Sequence, residues 1–130
     1  MVGIVLVSHS RQIVEGLYEL VNQMTGGKVS IGIAGGTEDG RLGTDATKIM
    51  KEIEKIDNNE GVVILVDIGS SVMSAQMAIE LLGSDYENKV KIADAPLIEG
   101  AVAASVEASI GSNFKRVLEV AEQAKNINKI

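Results

Sequence analysis

The chain has 130 residues, a formal net charge of −6 and 45% hydrophobic residues, of which only two tyrosines and one phenylalanine are aromatic. This length fits one domain with a core of its own, so we expect residues 1–130 to fold as a single unit. An aliphatic core of this kind favours a parallel sheet covered by helices. The absence of cysteine excludes disulfides, thiolate zinc sites and cysteine nucleophiles.

Charge and the amino-terminal segment argue against two kinds of partner. Lysine and arginine are scattered without a stripe that could follow a phosphate backbone, so nucleic acid is not an expected partner. The residues before the first apolar run include no basic segment, and that run is too short for a signal peptide or a membrane span. We therefore expect a cytoplasmic protein with no membrane contact.

Apolar residues that recur in continuous runs or at helical spacing predict strands alternating with helices. Gly83 fits the position just after the end of a helix, and Pro96 the start of one. The predicted elements are a strand at 3–7, a helix at 10–25, a strand at 28–34, a helix capped by Thr44 and broken at 57–59, a strand at 61–66, a helix capped by Ser70 or Ser71 and running to Leu82, a strand at 89–93, a helix at 97–109 and a last helix from Phe114.

This alternation predicts the fold class. Right-handed crossovers convert it into an α/β fold with an open, doubly wound parallel four-stranded sheet and helices on both faces. A strand order of 2-1-3-4 would place the switch point between strands 1 and 3, where such sheets bind ligands. The loops after those two strands carry His9, the only histidine, and Asp67.

Small and hydroxyl-bearing residues gather at the same edge of the predicted sheet. The amino-terminal ends of the first and third helices also point there, and free N–H groups at helix starts favour an anion such as a phosphoryl group. Turn or cap chemistry explains each residue alone better than ligand contact does, and the prediction rests on all of them lying at one edge. The candidates for binding a phosphoryl group are Ser8, Ser10, Arg11, Gly36, Thr37, Gly69, Ser70 and Ser71.

Several kinds of chemistry do not fit these residues. The chain has no G-x-S-x-G nucleophile elbow, no P-loop and no strand-linked G-x-G-x-x-G, and one histidine without spaced partners makes a metal site unexpected. A receiver domain would use Asp67, but it also needs an acidic cluster after strand 1, where this chain has Ser8 and His9.

What remains is His9 as a nucleophile toward a phosphoryl group, without a metal or cofactor. Asp67, on the adjacent strand, is the best-placed residue to fix the ring tautomer, although a cap or turn role explains it equally well. His9 and Asp67 are therefore the candidate catalytic residues.

Seven short stretches together resemble the DhaM family, the phosphotransferase subunits of the dihydroxyacetone kinases that use phosphoenolpyruvate. The relevant domain of that family is similar to the IIA domains of mannose-type sugar phosphotransferase systems, and the resemblance runs to about residue 125. Those IIA domains usually have Thr-His-Gly where this chain has Ser-His-Ser, which favours the dihydroxyacetone branch. The matching stretches are Val7-Ser8-His9-Ser10, Gly16-Leu17, Gln23-Met24, Gly35-Gly36-Thr37, Gly43-Thr44, Asp67-Ile68-Gly69-Ser70-Ser71 and Glu99-Gly100-Ala101.

The resemblance implies a sheet of order 2-1-3-4, a homodimer and a phosphotransferase activity. It implies that His9 accepts a phosphoryl group from the phosphocarrier protein HPr, with Asp67 beside it. The phosphoryl group then passes to ADP on the nucleotide-binding subunit of the kinase, and the resulting ATP phosphorylates dihydroxyacetone on a third subunit. We expect HPr and the enzyme upstream of it to be separate proteins.

Three alternatives remain open on the sequence. The chain could be the IIA domain of a mannose-type sugar-transport system. It could also be a flavodoxin-like module that binds an anion or a mononucleotide without covalent chemistry, or a structural or regulatory subunit. The small residues of the helix at 97–109 could serve either a dimer contact or ordinary packing on the sheet.

Overall fold

Four parallel strands form one sheet in the order β2-β1-β3-β4. The computed structural model describes all 130 residues. β1 and β3 are buried along their whole length, as their uninterrupted apolar sequences predict for central strands. The strands are β1 (Gly3–Ser8), β2 (Ile31–Gly35), β3 (Val62–Val66) and β4 (Val90–Ile92).

Helices cover both faces of the sheet, which confirms the predicted fold class. The helices are α1 (Arg11–Met24), α2 (Ala46–Ile56), α3 (Ser70–Leu82), α4 (Leu97–Ser109) and α5 (Phe114–Gln123), with short 3₁₀ turns at Ser84–Tyr86 and Ala124–Asn126. One half of the core lies between the sheet and α1, α4 and α5, and the other half lies between the sheet and α2 and α3. None of these helices combines the length and apolar composition that a membrane crossing requires.

The small residues of α4 pack inside the chain. Ala101, Ala104 and Ala108 are fully buried in the half of the core that α4 shares with α5. A Cβ on Gly100 would lie 2.9 Å from Leu65 Cδ1, so only glycine lets the helix approach the sheet this closely. Of the two interpretations of this helix, the structure therefore shows packing on the sheet.

Two predicted helix caps are wrong. Asp45, and not Thr44, caps the start of α2, because its carboxylate accepts hydrogen bonds from the backbone N–H groups of Thr47 and Lys48. The Thr44 hydroxyl instead lies 2.5 Å from the hydroxyl of Ser74, on α3. The Thr44 prediction failed because a neighbouring carboxylate was available for the same two donors.

The start of α3 also differs from the prediction. Gly69 occupies its cap position, and no side chain forms a capping bond there. Ser71 is buried and its hydroxyl donates to the carbonyl of Ile68, while Ser70 is exposed. The other end agrees with the sequence, since Gly83 ends α3 with a left-handed φ of 95°.

Strand lengths differ modestly from those predicted. β2 begins at Ile31 rather than at residue 28, and β4 has three residues rather than five. Val29 is buried although it precedes the strand, so its apolar side chain extended the predicted alternation. The edge strands are thus shorter than their apolar patterns suggest.

Candidate functional site

The register of the sheet brings three chain segments together at its carboxyl edge. Ser8 pairs with Gly35 of β2, and Val7 pairs with Val66 of β3. His9 therefore leaves β1 between the ends of its two neighbours, with Asp67 the first residue after β3. The predicted switch point lies here.

The carboxylate of Asp67 holds His9 from two directions. Its Oδ1 lies 3.0 Å from Nδ1 of the His9 ring, and its Oδ2 accepts the His9 backbone N–H at 2.9 Å. The buried hydroxyl of Ser8 donates to the same Oδ2 at 2.8 Å. Backbone and ring of His9 are thus fixed relative to one carboxylate.

Asp67 is ionised at neutral pH. Its partial burial would raise the pKa, but hydrogen bonds from the backbone N–H groups of His9 and Ile68, the Ser8 hydroxyl and the His9 ring outweigh this and lower the pKa from 3.8 to about 2. An ionised carboxylate can only accept hydrogen bonds, so Nδ1 of His9 carries the proton. In the neutral ring Nε2 then bears the free lone pair.

Nε2 of His9 meets one side chain, that of Ser70. The Ser70 hydroxyl lies 2.7 Å from Nε2, and in the neutral ring, where Nε2 has no proton, the hydroxyl donates this hydrogen bond. Ser70 is exposed, and 24% of the His9 side chain is accessible to solvent. The nucleophilic nitrogen therefore faces the surface, covered only by a hydroxyl that can rotate.

Both ends of the loop after β2 form hydrogen bonds to the backbone at the end of β1 and at His9. The N–H of Gly36 donates to the Ser8 carbonyl, and the N–H of Gly43 donates to the His9 carbonyl at 2.9 Å. Gly36 has a φ of 73°, a left-handed conformation that glycine adopts without strain. We call residues 36–43 the β2–α2 loop.

The structure distributes the predicted phosphoryl-binding residues among several tasks. Ser70 contacts the His9 ring, while the Ser8 hydroxyl is engaged with Asp67 and accepts the N–H of Ser10. The remaining candidates have other partners or positions: Ser10 caps α1, Arg11 pairs with Glu15, Thr37 bonds to Asp39 within the β2–α2 loop, Ser71 bonds to Ile68, and Gly36 and Gly69 are turn residues at the same edge.

Three parts of the surroundings were not anticipated from the sequence. Gly43 belongs to one of the stretches that carry the family resemblance, but nothing in the sequence indicates that its N–H bonds to the carbonyl of His9. The bond between Thr44 and Ser74 joins that loop to α3, and no local pattern signals a contact between residues 30 positions apart. A cleft beside Asp67, between the ends of β3 and β4 and α3, also depends on tertiary packing.

Fold and site together define a class of protein: a parallel α/β protein whose single histidine, oriented by a carboxylate, presents Nε2 at the surface. Residues 3–118 match the family described as EIIA-man, the PTS system fructose IIA component. The chain belongs to this family.

The chain is also similar to proteins named as phosphoryl donor subunits DhaM of PEP-dependent dihydroxyacetone kinases. One from Listeria innocua is 45% identical over 119 residues, which cover 92% of this chain and 95% of the relative. One from Escherichia coli is 40% identical over 91% of this chain but only 26% of its own length, and one from Providencia stuartii is 39% identical over 95% of this chain and 27% of its own. The chain thus spans about a quarter of the length of these last two relatives.

A solved structure shows the same architecture. The crystal structure of EF1359, described as a protein of unknown function, superposes with a TM-score of 0.84 at 35% identity. The match covers 99% of this chain and 96% of that one. The predicted resemblance to a DhaM-like, mannose-type IIA domain is confirmed by these comparisons.

Proposed function

We propose that this chain is a phosphoryl donor subunit for a dihydroxyacetone kinase. In this proposal Nε2 of His9 accepts a phosphoryl group from HPr and passes it to ADP bound on the nucleotide-binding subunit of the kinase. The observation that supports it most directly is the pairing of Nδ1 with the ionised Asp67, which leaves Nε2 as the nucleophile. The names of the relatives support the choice of dihydroxyacetone kinase.

The transfer step needs only groups already at the site. The lone pair on Nε2 attacks phosphorus, and the bond from phosphorus to the donor breaks with its electron pair returning to the donor. The positive charge that the phosphorylated ring acquires lies 3.0 Å from the Asp67 carboxylate. The Ser70 hydroxyl, released from Nε2, can then donate to a phosphoryl oxygen. In the second transfer an oxygen of ADP attacks phosphorus, and the bond from phosphorus to Nε2 breaks with its electron pair returning to the ring.

Mass spectrometry of the intact chain tests the carrier role. After incubation with phosphoenolpyruvate, the general carrier enzyme and HPr, the wild-type chain should gain one phosphate that is labile in acid and stable in base. His9→Ala should gain none. An unchanged wild-type mass would refute covalent carriage and would favour a flavodoxin-like binding module or a structural or regulatory subunit.

The proposed role of Asp67 has its own test. Asp67→Ala removes the acceptor for Nδ1–H, so the reactive tautomer is no longer enforced and phosphorylation should slow by about 10-fold or more while the fold persists. Initial rates of phosphorylation by HPr measure this. Equal rates for the variant and the wild type would remove Asp67 from the mechanism.

The acceptor can be identified separately from carriage. Phosphorylated chain mixed with the ADP-loaded subunit of dihydroxyacetone kinase should lose its phosphate as ATP appears. Transfer instead to a sugar-transport IIB domain would assign the chain to a mannose-type transport system. Copurification with kinase subunits would give the same distinction in cells.

We also propose that residues 1–130 act as one phosphocarrier domain, that the chain works in the cytoplasm and that it forms a homodimer. The resemblance to its family supports the dimer. Light scattering of the purified chain measures it, and a mass of 13.7 kDa at all concentrations would contradict it.

A further inference from the structure

A closed network of hydrogen bonds begins and ends at His9. The His9 carbonyl accepts the backbone N–H of Gly43, the residue just before Thr44. The hydroxyl of Thr44 lies 2.5 Å from the hydroxyl of Ser74, on α3. Ser74 lies on the same face of α3 as Ser70, four residues earlier, whose hydroxyl returns to Nε2 of the His9 ring at 2.7 Å. The backbone of His9 is thus connected to its reactive nitrogen through the β2–α2 loop and α3.

Thr44 occupies a fixed point in this network. The residue before it, Gly43, bonds to the His9 carbonyl at 2.9 Å, and the residue after it, Asp45, caps α2 with its carboxylate. Because both neighbours are held by bonds of their own, the backbone of Thr44 has little freedom to move. The side chain of Thr44 is half-buried, and Ser74 is the hydrogen-bond partner of its hydroxyl.

The first turn of α3 has few other anchors. Gly69 occupies the cap position, and no side chain forms a capping bond there. The larger apolar residues of α3 are exposed or only partly buried. Small side chains interlock less with an opposing surface than large ones, so packing alone resists sliding of this helix only weakly. The buried residues of α3 are Ser71, Ala75 and Ala78.

The position of that first turn matters for the proposed reaction. The Ser70 hydroxyl has to stay near the ring if it is to donate first to Nε2 and then to a phosphoryl oxygen. A displacement of about 1 Å can slow a reaction by as much as about 100-fold. Asp67 is held to His9 and fixes where the turn before α3 starts, but it does not fix the tilt of the helix that follows. A contact farther along α3 is needed for that.

We propose that Thr44 and Ser74 are positioning residues for phosphoryl transfer, an inference that rests on the proposed function. Neither hydroxyl bonds to the His9 ring, whose partners are Asp67 and Ser70. Together they hold α3 where the Ser70 hydroxyl reaches Nε2. Because the pair acts through Ser70, its effect on the rate has an upper limit, which is the effect of removing the Ser70 hydroxyl itself.

Removing either hydroxyl of the pair tests this role. Thr44→Val and Ser74→Ala should each lower the maximal rate of phosphorylation by HPr about 2- to 5-fold, the effect of one lost hydrogen bond, without changing KM. The double variant should be no slower than the slower single variant, since both changes remove the same bond. Thr44→Ser keeps the hydroxyl and should rescue the rate. Thr47→Val is the matched control, because Thr47 is exposed in the first turn of α2 and only its backbone N–H is hydrogen-bonded.

The Ser70→Ala background shows whether the pair acts through Ser70. In that background Thr44→Val should have no further effect on the maximal rate, since the hydroxyl that it positions is absent. An equal fold-reduction in both backgrounds would overturn the proposal, and so would a rate for Thr44→Val equal to that of Thr47→Val. A higher KM with an unchanged maximal rate would also overturn it, because the pair would then contribute to binding HPr and not to positioning.

Nuclear magnetic resonance tests the same contact without phosphorylation. At a pH where the ring is neutral, the ¹⁵N resonance of Nε2 reports whether a hydroxyl donates to this nitrogen. In Thr44→Val and in Ser74→Ala it should move from its wild-type position toward its position in Ser70→Ala, whereas Thr47→Val should leave it in place. An unchanged resonance in both variants of the pair would overturn the proposal. Failure of the wild type to accept phosphate from HPr would instead refute the proposed function, and the resonance would still decide whether the pair positions Ser70.

Discussion

Replacing Asp67 with asparagine should remove a pH-dependent part of the stability of this chain. The pKa of Asp67 is lowered from 3.8 to about 2 in the folded state, since hydrogen bonds to its carboxylate outweigh the opposing effect of partial burial. A shift of this size corresponds to about 2 kcal/mol of preference for the ionised form in the native state. Asparagine has no such equilibrium.

The direction and the pH range follow from the depressed pKa. The ionised carboxylate stabilises the native state above the unfolded pKa, and this contribution is lost as the pH falls from about 4 through 2, where the folded group also becomes protonated. The difference in free energy of unfolding between the wild type and Asp67→Asn should therefore shrink by about 1 kcal/mol between pH 5 and pH 3, and by about 2 kcal/mol by pH 2.

Urea denaturation followed by circular dichroism, at pH 5, 4 and 3, measures that difference. Asp94→Asn is a suitable control because Asp94 is 86% exposed and its carboxylate pairs only with Lys125 at the surface. Its difference from the wild type should stay nearly constant over the same range. A constant difference for Asp67→Asn would refute the idea that the native state selects the ionised Asp67, and with it the assignment of the proton to Nδ1 of the ring.

Four more substitutions probe how the site is built. Ser8→Ala should lower the free energy of unfolding by about 1–3 kcal/mol in urea titrations, because the buried hydroxyl donates to Asp67 and accepts a backbone N–H; a loss near zero would contradict this. Gly35→Ala should lower the free energy of unfolding by about 1–3 kcal/mol, because the new Cβ would lie 2.5–2.8 Å from atoms at the start of α1. Gly16→Ala, with open space at its Cβ, should instead raise the free energy of unfolding by about 1 kcal/mol. The same urea titrations compare the two glycine variants, and equal effects would show that the packing of Gly35 against the start of α1 is not rigid. Ser70→Ala should leave stability unchanged and slow phosphorylation by HPr by about 3- to 10-fold, the value of one lost hydrogen bond; an unaltered rate would exclude contact with the phosphoryl group.

The central strands and the fold were predictable because their signal is local. β1 and β3 are uninterrupted apolar runs buried on both faces, and each is followed by a helix with an apolar stripe. Such patterns determine which elements form, and right-handed crossovers restrict how they connect. The positions of His9 and Asp67 at one edge of the sheet follow from the same rules.

The details that escaped prediction depend on competition between neighbours or on distant contacts. Thr44 and Asp45 are both good caps, and only the folded chain shows that the carboxylate takes the helix while the hydroxyl contacts α3. Ser70 and Ser71 are likewise interchangeable in sequence, yet one contacts His9 and the other is buried against its own turn. Sequence patterns do not resolve such choices because each residue has the right chemistry for either task.

The geometry around His9 divides into a fixed side and an adjustable side, which bears on how one residue can both accept and release a phosphoryl group. On the fixed side the ring and backbone of His9 bond to Asp67, whose own position is held by the buried Ser8. Because the pKa of Asp67 is about 2, its carboxylate stays ionised across the neutral pH range. On the other side Nε2 meets only the exposed hydroxyl of Ser70.

The direction of transfer is then decided by which partner is docked and by the stability of the partner's own phosphorylated group, and not by a change within this chain. A variant that alters the fixed side should accordingly slow transfer in both directions.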